Sequence, residues 1–168
     1  MQTRLVLLIS ITLAALLGAC SKQREISALD NAEADARVAK ARVELQLGSP
    51  ANAEKLLLEA LKLNPDIYAW WVELANVRLQ LGKNKDARKA CENAVEACSR
   101  LVKKDPKNIE PRLSQMRLLV TLGREKDARK ALDQAFKELP DDPVIRQAVA
   151  QNFISQLVAS PDQLKLPE

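Results

Sequence analysis

Histidine is absent from all 168 residues. Its absence excludes Ser–His and Cys–His nucleophile pairs, HExxH zinc sites and His-ligated haem. Glycine is nearly as scarce, at four residues, each standing alone, so no Gly-rich loop could cradle a phosphate. Aromatics amount to two Trp, one Tyr and two Phe, and β-branched runs, the usual material of strands, are lacking. Carboxylates are plentiful but alternate with Lys and Arg, the pattern of a solvated helix surface rather than of an acid/base pair. The net charge of +4 is weak. Basic residues are mixed with acids throughout, which leaves no nucleic-acid footprint. The chain therefore reads as a non-enzyme that needs no cofactor.

The one long uncharged stretch is residues 5–19, LVLLISITLAALLGA, after the basic start MQTR. It is shorter than the ~20 residues of a membrane-spanning helix. Small residues precede Cys20 and a polar exit follows, as in a cleaved export signal. Leu17-Gly18-Ala19-Cys20 resembles the lipobox of bacterial lipoproteins. That resemblance implies a signal peptide over 1–19, diacylglycerol on Cys20 and a short tether over 20–29. It also implies a lipid-anchored protein of the cell envelope. Ser21 stands where the inner-membrane retention signal has Asp, which points to the periplasmic face of the outer membrane in a Gram-negative cell.

From residue 27 to 158 the chain reads as consecutive helices, rich in Ala, Leu, Lys, Glu and Arg. Helix-period apolar spacing is plain in Ala87, Ala90, Cys91, Ala94, Val95, Cys98, Leu101 and Val102. Gly48, Gly82 and Gly123 punctuate helix pairs, and Pro65, Pro106 and Pro140 follow the second helix of each pair. Cys91 and Cys98, seven apart on one helix, lie ~10 Å from each other by helical rise. A disulfide needs under ~7 Å, so they cannot join while the helix stands. Buried thiols are one reading of the pair, and an intermolecular bond in an oxidising envelope is the other.

The words LGKNKDARKA (81–90) and LGREKDARKA (122–131) are near copies, and LGSPANAEKL begins at Leu47. Five residues after each Gly comes Ala53, Ala87 or Ala128, and seven further on Ala60, Ala94 or Ala135. With Trp71-x-x-Leu74-Ala75 and Ala87-x-x-x-Cys91-x-x-Ala94, this resembles the tetratricopeptide repeat, a 34-residue helix–turn–helix unit. Arg78 stands where that family has Tyr, and the third unit opens on Arg112-x-x-Gln115-Met116, a departure from the motif. The resemblance implies an all-α solenoid domain over 30–159. Its units would run over about 34–67, 68–108 and 109–142, with one capping helix over 144–158 and a polar tail over 160–168. The first interval between Gly positions is one period, but the second is seven residues longer. Because the apolar stripe continues to Val102, the extra residues should lengthen the second unit's second helix by ~10 Å. That irregularity marks a place for contacts which relatives lack.

In this family the first helices line a concave groove that takes peptides. The positions carried over are the trios Val38–Arg42–Leu45, Val72–Asn76–Leu79 and Leu113–Arg117–Val120, each on one helix face by its four-then-three spacing. They predict apolar walls around a polar line of Arg42, Asn76 and Arg117, suited to a peptide backbone or a carboxylate. The residues of the carboxylate-clamp subclass are not matched: Val38, Glu73, Glu110 and Ser114 occupy their positions. Trp71 takes the family's packing position, and Trp70, ~100° round the helix, either packs against the neighbouring helix or is a candidate binding anchor. Arg88, Lys89, Arg129 and Lys130 are expected to face solvent. The functional expectation is a membrane-anchored scaffold or assembly adaptor for a protein or peptide partner. The alternative is a structural subunit of an envelope complex with no free groove.

Overall fold

The computed structural model describes residues 26–160 and residue 166. The expected signal peptide, the lipidation site Cys20 and most of the tether lie outside the described residues. Six helices form three antiparallel pairs: α1 (Ala28–Gln46) with α2 (Pro50–Leu63), α3 (Tyr68–Gln80) with α4 (Asn84–Lys104), and α5 (Ile109–Thr121) with α6 (Glu125–Glu138). Two short helices follow, α7 (Pro143–Ala150) and α8 (Phe153–Ala159). Each helix packs on its chain neighbours, and α8 also reaches back to α5. This is the expected solenoid of three helix pairs and a cap.

The repeated Leu-Gly words are one backbone device used three times. Gly48, Gly82 and Gly123 have φ of +73°, +71° and +74°, the left-handed region that glycine occupies without a Cβ penalty. Around Gly82, the Gly82 N–H donates to the Leu79 carbonyl at 3.0 Å and the Lys83 N–H to the Arg78 carbonyl at 2.8 Å. The same bonds recur around Gly48 and Gly123. These two bonds form the Schellman motif, which satisfies the last carbonyls of a helix and reverses the chain. Beyond the turn, Ala53, Ala60, Ala87, Ala94, Ala128 and Ala135 are all fully buried. With only a methyl group at each site, paired helices can close up along these columns.

Two of the chain's departures from the repeat motif, at Arg112 and Arg78, are structural. Trp71 Nε1 donates to the Pro65 carbonyl at 2.9 Å. Forty-one residues on, Arg112 donates to the Pro106 carbonyl from Nε (3.2 Å) and Nη2 (2.8 Å), and its guanidinium also pairs with Glu138. The guanidinium thus makes the bond that the indole makes one unit earlier. Arg78 pairs with Glu54 of α2 through Nε at 3.0 Å, and its Nη1 donates to the Asp86 carbonyl at 3.0 Å. Lys83 Nζ meets the other Glu54 oxygen at 2.5 Å. A Tyr in place of Arg78 could not bridge these groups.

The extra seven residues do lengthen a helix: α4 has 21 residues, against 14 each for α2 and α6. The extension is fastened on two sides. Arg100 pairs with Asp66 at 2.6 Å and donates to the Pro65 carbonyl at 3.0 Å, and Ser99 Oγ accepts from Gln115 Nε2 at 2.7 Å.

Four expectations are corrected. The cap is two helices, not one, because Asn152 takes a left-handed conformation (φ +49°) and breaks the chain between them. Trp70, not Trp71, is the buried indole, since Trp70 shares its face with buried Leu74 and Val77 while Trp71 is only partly buried. Arg88 is partly buried, and both its Nη atoms reach the Leu122 carbonyl at 3.3 Å, where a cation suits a helix C-terminus. The tail is not wholly polar: Leu166 is buried, and its N–H donates to the Thr121 carbonyl at 3.4 Å.

Glu54 carries the clearest pH signature. Burial pushes its carboxyl up, but the Lys83 and Arg78 hydrogen bonds and charges outweigh burial and hold it below the ordinary 4.5. A carboxyl lowered on folding stabilises fully above its unfolded value, and that stability fades as pH falls through its folded value. Glu54→Gln should therefore lower stability by ~1–3 kcal/mol at pH 7. The deficit should shrink as the pH is taken well below 4.5. Urea unfolding midpoints of both proteins at pH 7 and in acid check this, and a deficit independent of pH would contradict it.

Candidate functional site

The first helices of the second and third pairs, α3 and α5, face each other across a groove of about 360 Å³. Its floor is apolar, built from Val72, Ala75, Cys91 and Leu118, and its rim carries Tyr68, Asn76, Ser114, Arg117 and Thr121. A space of this size, mainly apolar with a few polar groups, has the dimensions of a site for a side chain or two of a partner.

One end is closed by a polar bridge between the two helices. Tyr68 Oη donates to Glu110, and Ser114 Oγ lies 3.4 Å from both the Tyr68 hydroxyl and the Glu110 carboxylate. Burial raises the Tyr68 pKa, and the neighbouring Glu110 carboxylate raises it further, so this hydroxyl keeps its proton. Towards the other end, the Arg117 guanidinium lies over the Phe153 ring of α8, 5.6 Å from its centroid. The cap therefore supplies the surface on which Arg117 rests, a cation–π contact that orients its charge. Thr121 Oγ1 donates to the Arg117 carbonyl at 3.1 Å and is held on its own helix.

Of the nine residues assigned to the groove by resemblance, Val72, Asn76 and Arg117 meet there. Val38 and Val120 are buried in the core and offer nothing to a partner. Leu45, Leu79 and Leu113 are partly buried against that core. Arg42 lies outside the groove and bridges to Glu73 of α3, with Nη2–Oε1 at 2.5 Å and Nε–Oε2 at 3.1 Å. The polar line is thus two residues, not three. Trp70, being buried, is no anchor for a partner.

Tyr68, Ser114 and Thr121 were missed. Tyr68 lies one i, i+4 step before Val72, and Ser114, Arg117 and Thr121 follow each other at steps of three and four. Extending the second trio back by one step reaches Tyr68, and steps of three back and four on from Arg117 reach Ser114 and Thr121. Cys91 is buried, in line with the first of its two readings, and it also floors the groove.

Both described cysteines are free and buried. Burial foremost pushes the Cys91 thiol up to about 11 and the Cys98 thiol up to about 12. Neither supplies thiolate at neutral pH, so an intermolecular disulfide through either would require the fold to open. Among the described residues, no group of Cys, Asp or Glu is placed to hold a metal ion, and no helix is long and apolar enough to cross a membrane.

Two family models, both described as tetratricopeptide repeat, match residues 38–108 and residues 90–151. No curated protein matches. Among solved structures, the first tetratricopeptide domain of Spaghetti (RPAP3) bound to an HSP90 peptide is 17% identical, with a TM-score of 0.43. It covers 78% of this chain and 99% of that one. The Arabidopsis OM64 domain is 20% identical, with a TM-score of 0.41 and coverage of 76% and 98%. The yeast Sti1 TPR2B domain is 17% identical, with a TM-score of 0.42 and coverage of 75% and 93%.

In a Cys20→Ser variant, a thiol reagent at pH 8 should modify less than a tenth of Cys91 and Cys98 in the native protein within the time that both react fully in denaturant. Fast native modification of either would contradict their burial.

Proposed function

Since the chain is a tetratricopeptide-repeat solenoid, we propose that it is a non-catalytic scaffold that holds a partner protein. The partner's peptide would bind in the groove between α3 and α5. The observation that carries this is the groove itself: an apolar floor between two helices, with Asn76 and Arg117 on its rim. Asn76 has an amide that can both donate to and accept from a peptide backbone. Arg117 favours a carboxylate near the bound segment. The bound segment is accordingly an apolar side chain with an acidic group close by. The polar Tyr68–Glu110 bridge limits its length at one end.

The setting we propose is the cell envelope, with the chain tethered by lipid on Cys20 at the periplasmic face of an outer membrane. Support comes from the basic start, the uncharged stretch and Leu17-Gly18-Ala19-Cys20. The polar residues that follow Cys20 would then form the leash between bilayer and solenoid.

Two experiments test these readings separately. A photo-crosslinking residue at Asn76 in the full chain, expressed in cells, should give one discrete adduct. Val72→Glu or Arg117→Glu should reduce it at least tenfold while circular dichroism stays unchanged. An adduct that survives both substitutions would reject the groove. Growth with a labelled fatty acid should label the wild-type chain and leave Cys20→Ser unlabelled. Equal labelling of both would reject the anchor.

A further inference from the structure

The outer face of α1 carries an apolar stripe that nothing in the described chain covers. Leu29, Ala32, Ala36, Ala39, Val43 and Leu47 follow one another at steps of three and four, so they share one side of the helix. That side lies opposite Ala34, Val38 and Ala41, which face the core. All six residues are exposed, and the large ones strongly so: Leu29 at 76%, Val43 at 51% and Leu47 at 71%. The terminal repeat of a solenoid normally turns a polar face outward. Here the first helix does the reverse.

Charge along the stripe indicates what covers it. On one flank lie Glu33 and, seven residues on, Lys40. On the other lie Asp35 and, seven residues on, Arg42. Both flanks run from acid to base in the direction of the chain. A parallel copy would lay the Glu33–Lys40 flank of one helix against the Asp35–Arg42 flank of the other, with like charges level and opposite charges such as Asp35 and Lys40 five residues out of step. An antiparallel copy sets each acid against a base on both flanks at once. The same register places Ala36 opposite Ala39 of the second copy and Ala32 opposite its Val43. Small residues meet at the centre and large ones at the ends, where Leu29 approaches the second copy's Leu47. Among the described residues Asp35 and Lys40 form no ion pair, while Glu33, held by Arg37 of its own helix at 2.5 Å, keeps about half its side-chain surface exposed. Arg42, although bridged to Glu73, keeps more than half its side-chain surface exposed.

We propose that the chain forms a two-fold dimer through this face, α1 lying antiparallel against α1 of a second copy. The contact is isologous, so each stripe covers the other and no open edge remains to propagate a fibre. The α1 helix is ~28 Å long by its rise. A single helix pair of that length falls among small, reversible interfaces. The contact lies on the outside of the first repeat, away from the groove between α3 and α5, and does not depend on that groove's function. It leaves both grooves of the dimer open.

The test uses the full chain in cells. Two differently tagged versions, Ala36→Cys and Ala39→Cys, are co-expressed, treated with a mild oxidant and run on non-reducing gels. The 36–39 heterodimer should form in several-fold excess over either homodimer. Lys62→Cys, exposed on α2, should stay monomeric under the same treatment. Lys40→Glu added to both partners should cut the heterodimer several-fold, and Glu33→Lys combined with Lys40→Glu should restore it. A covalent dimer from 36–36 in preference to 36–39 would overturn the antiparallel arrangement. No dimer, an adduct only with another protein, or failure of the charge swap to restore the band would overturn the proposal.

Discussion

Six alanines hold the spacing of this solenoid. They stand five and twelve residues after each turn glycine and are fully buried where paired helices meet. A methyl group at each position permits close approach, and any larger side chain would have to push a helix pair apart. Overpacking of this kind typically costs ~1–3 kcal/mol. Here it would also tilt every later unit, because each pair stacks on the one before. The Gly turns, the proline breaks and the groove between first helices depend on that spacing.

The two intervals between the repeated words are reconciled by this constraint. The seven additional residues sit at the end of α4, beyond the alanine columns, and leave them undisturbed. They do not hang free. Arg100 ties the extension to the Pro65–Asp66 turn, and Ser99 ties it to Gln115. The long helix therefore fastens the second unit to the connection before it and to the helix after it.

The fold was legible in the sequence because it rests on local rules. Glycine in a left-handed turn, alanine at a close crossing and proline after a helix end each act through their own residue. The groove was legible only in part because a side chain's fate is decided by its neighbours. Val38 and Val120 follow the same spacing as Val72 but are covered by adjoining helices. Arg42 is drawn to Glu73, a partner 31 residues away that no spacing argument singles out. The break at Asn152 is a left-handed turn without a glycine to announce it. The Trp70–Trp71 exchange is different: Trp70, Leu74 and Val77 do follow helical spacing, and the family motif drew attention to the wrong indole.

What results is a stack of helix pairs whose groove has an apolar floor and polar ends of unlike character. Tyr68 and Glu110 close one end, and Arg117, resting on Phe153, sits towards the other. Selection of ligands from a random peptide library on the purified chain tests this account most directly. The account predicts enriched peptides that share one apolar residue with an acidic residue nearby and that lose binding to the Val72→Glu chain. Enriched peptides without that pairing, or with undiminished binding to Val72→Glu, would contradict it.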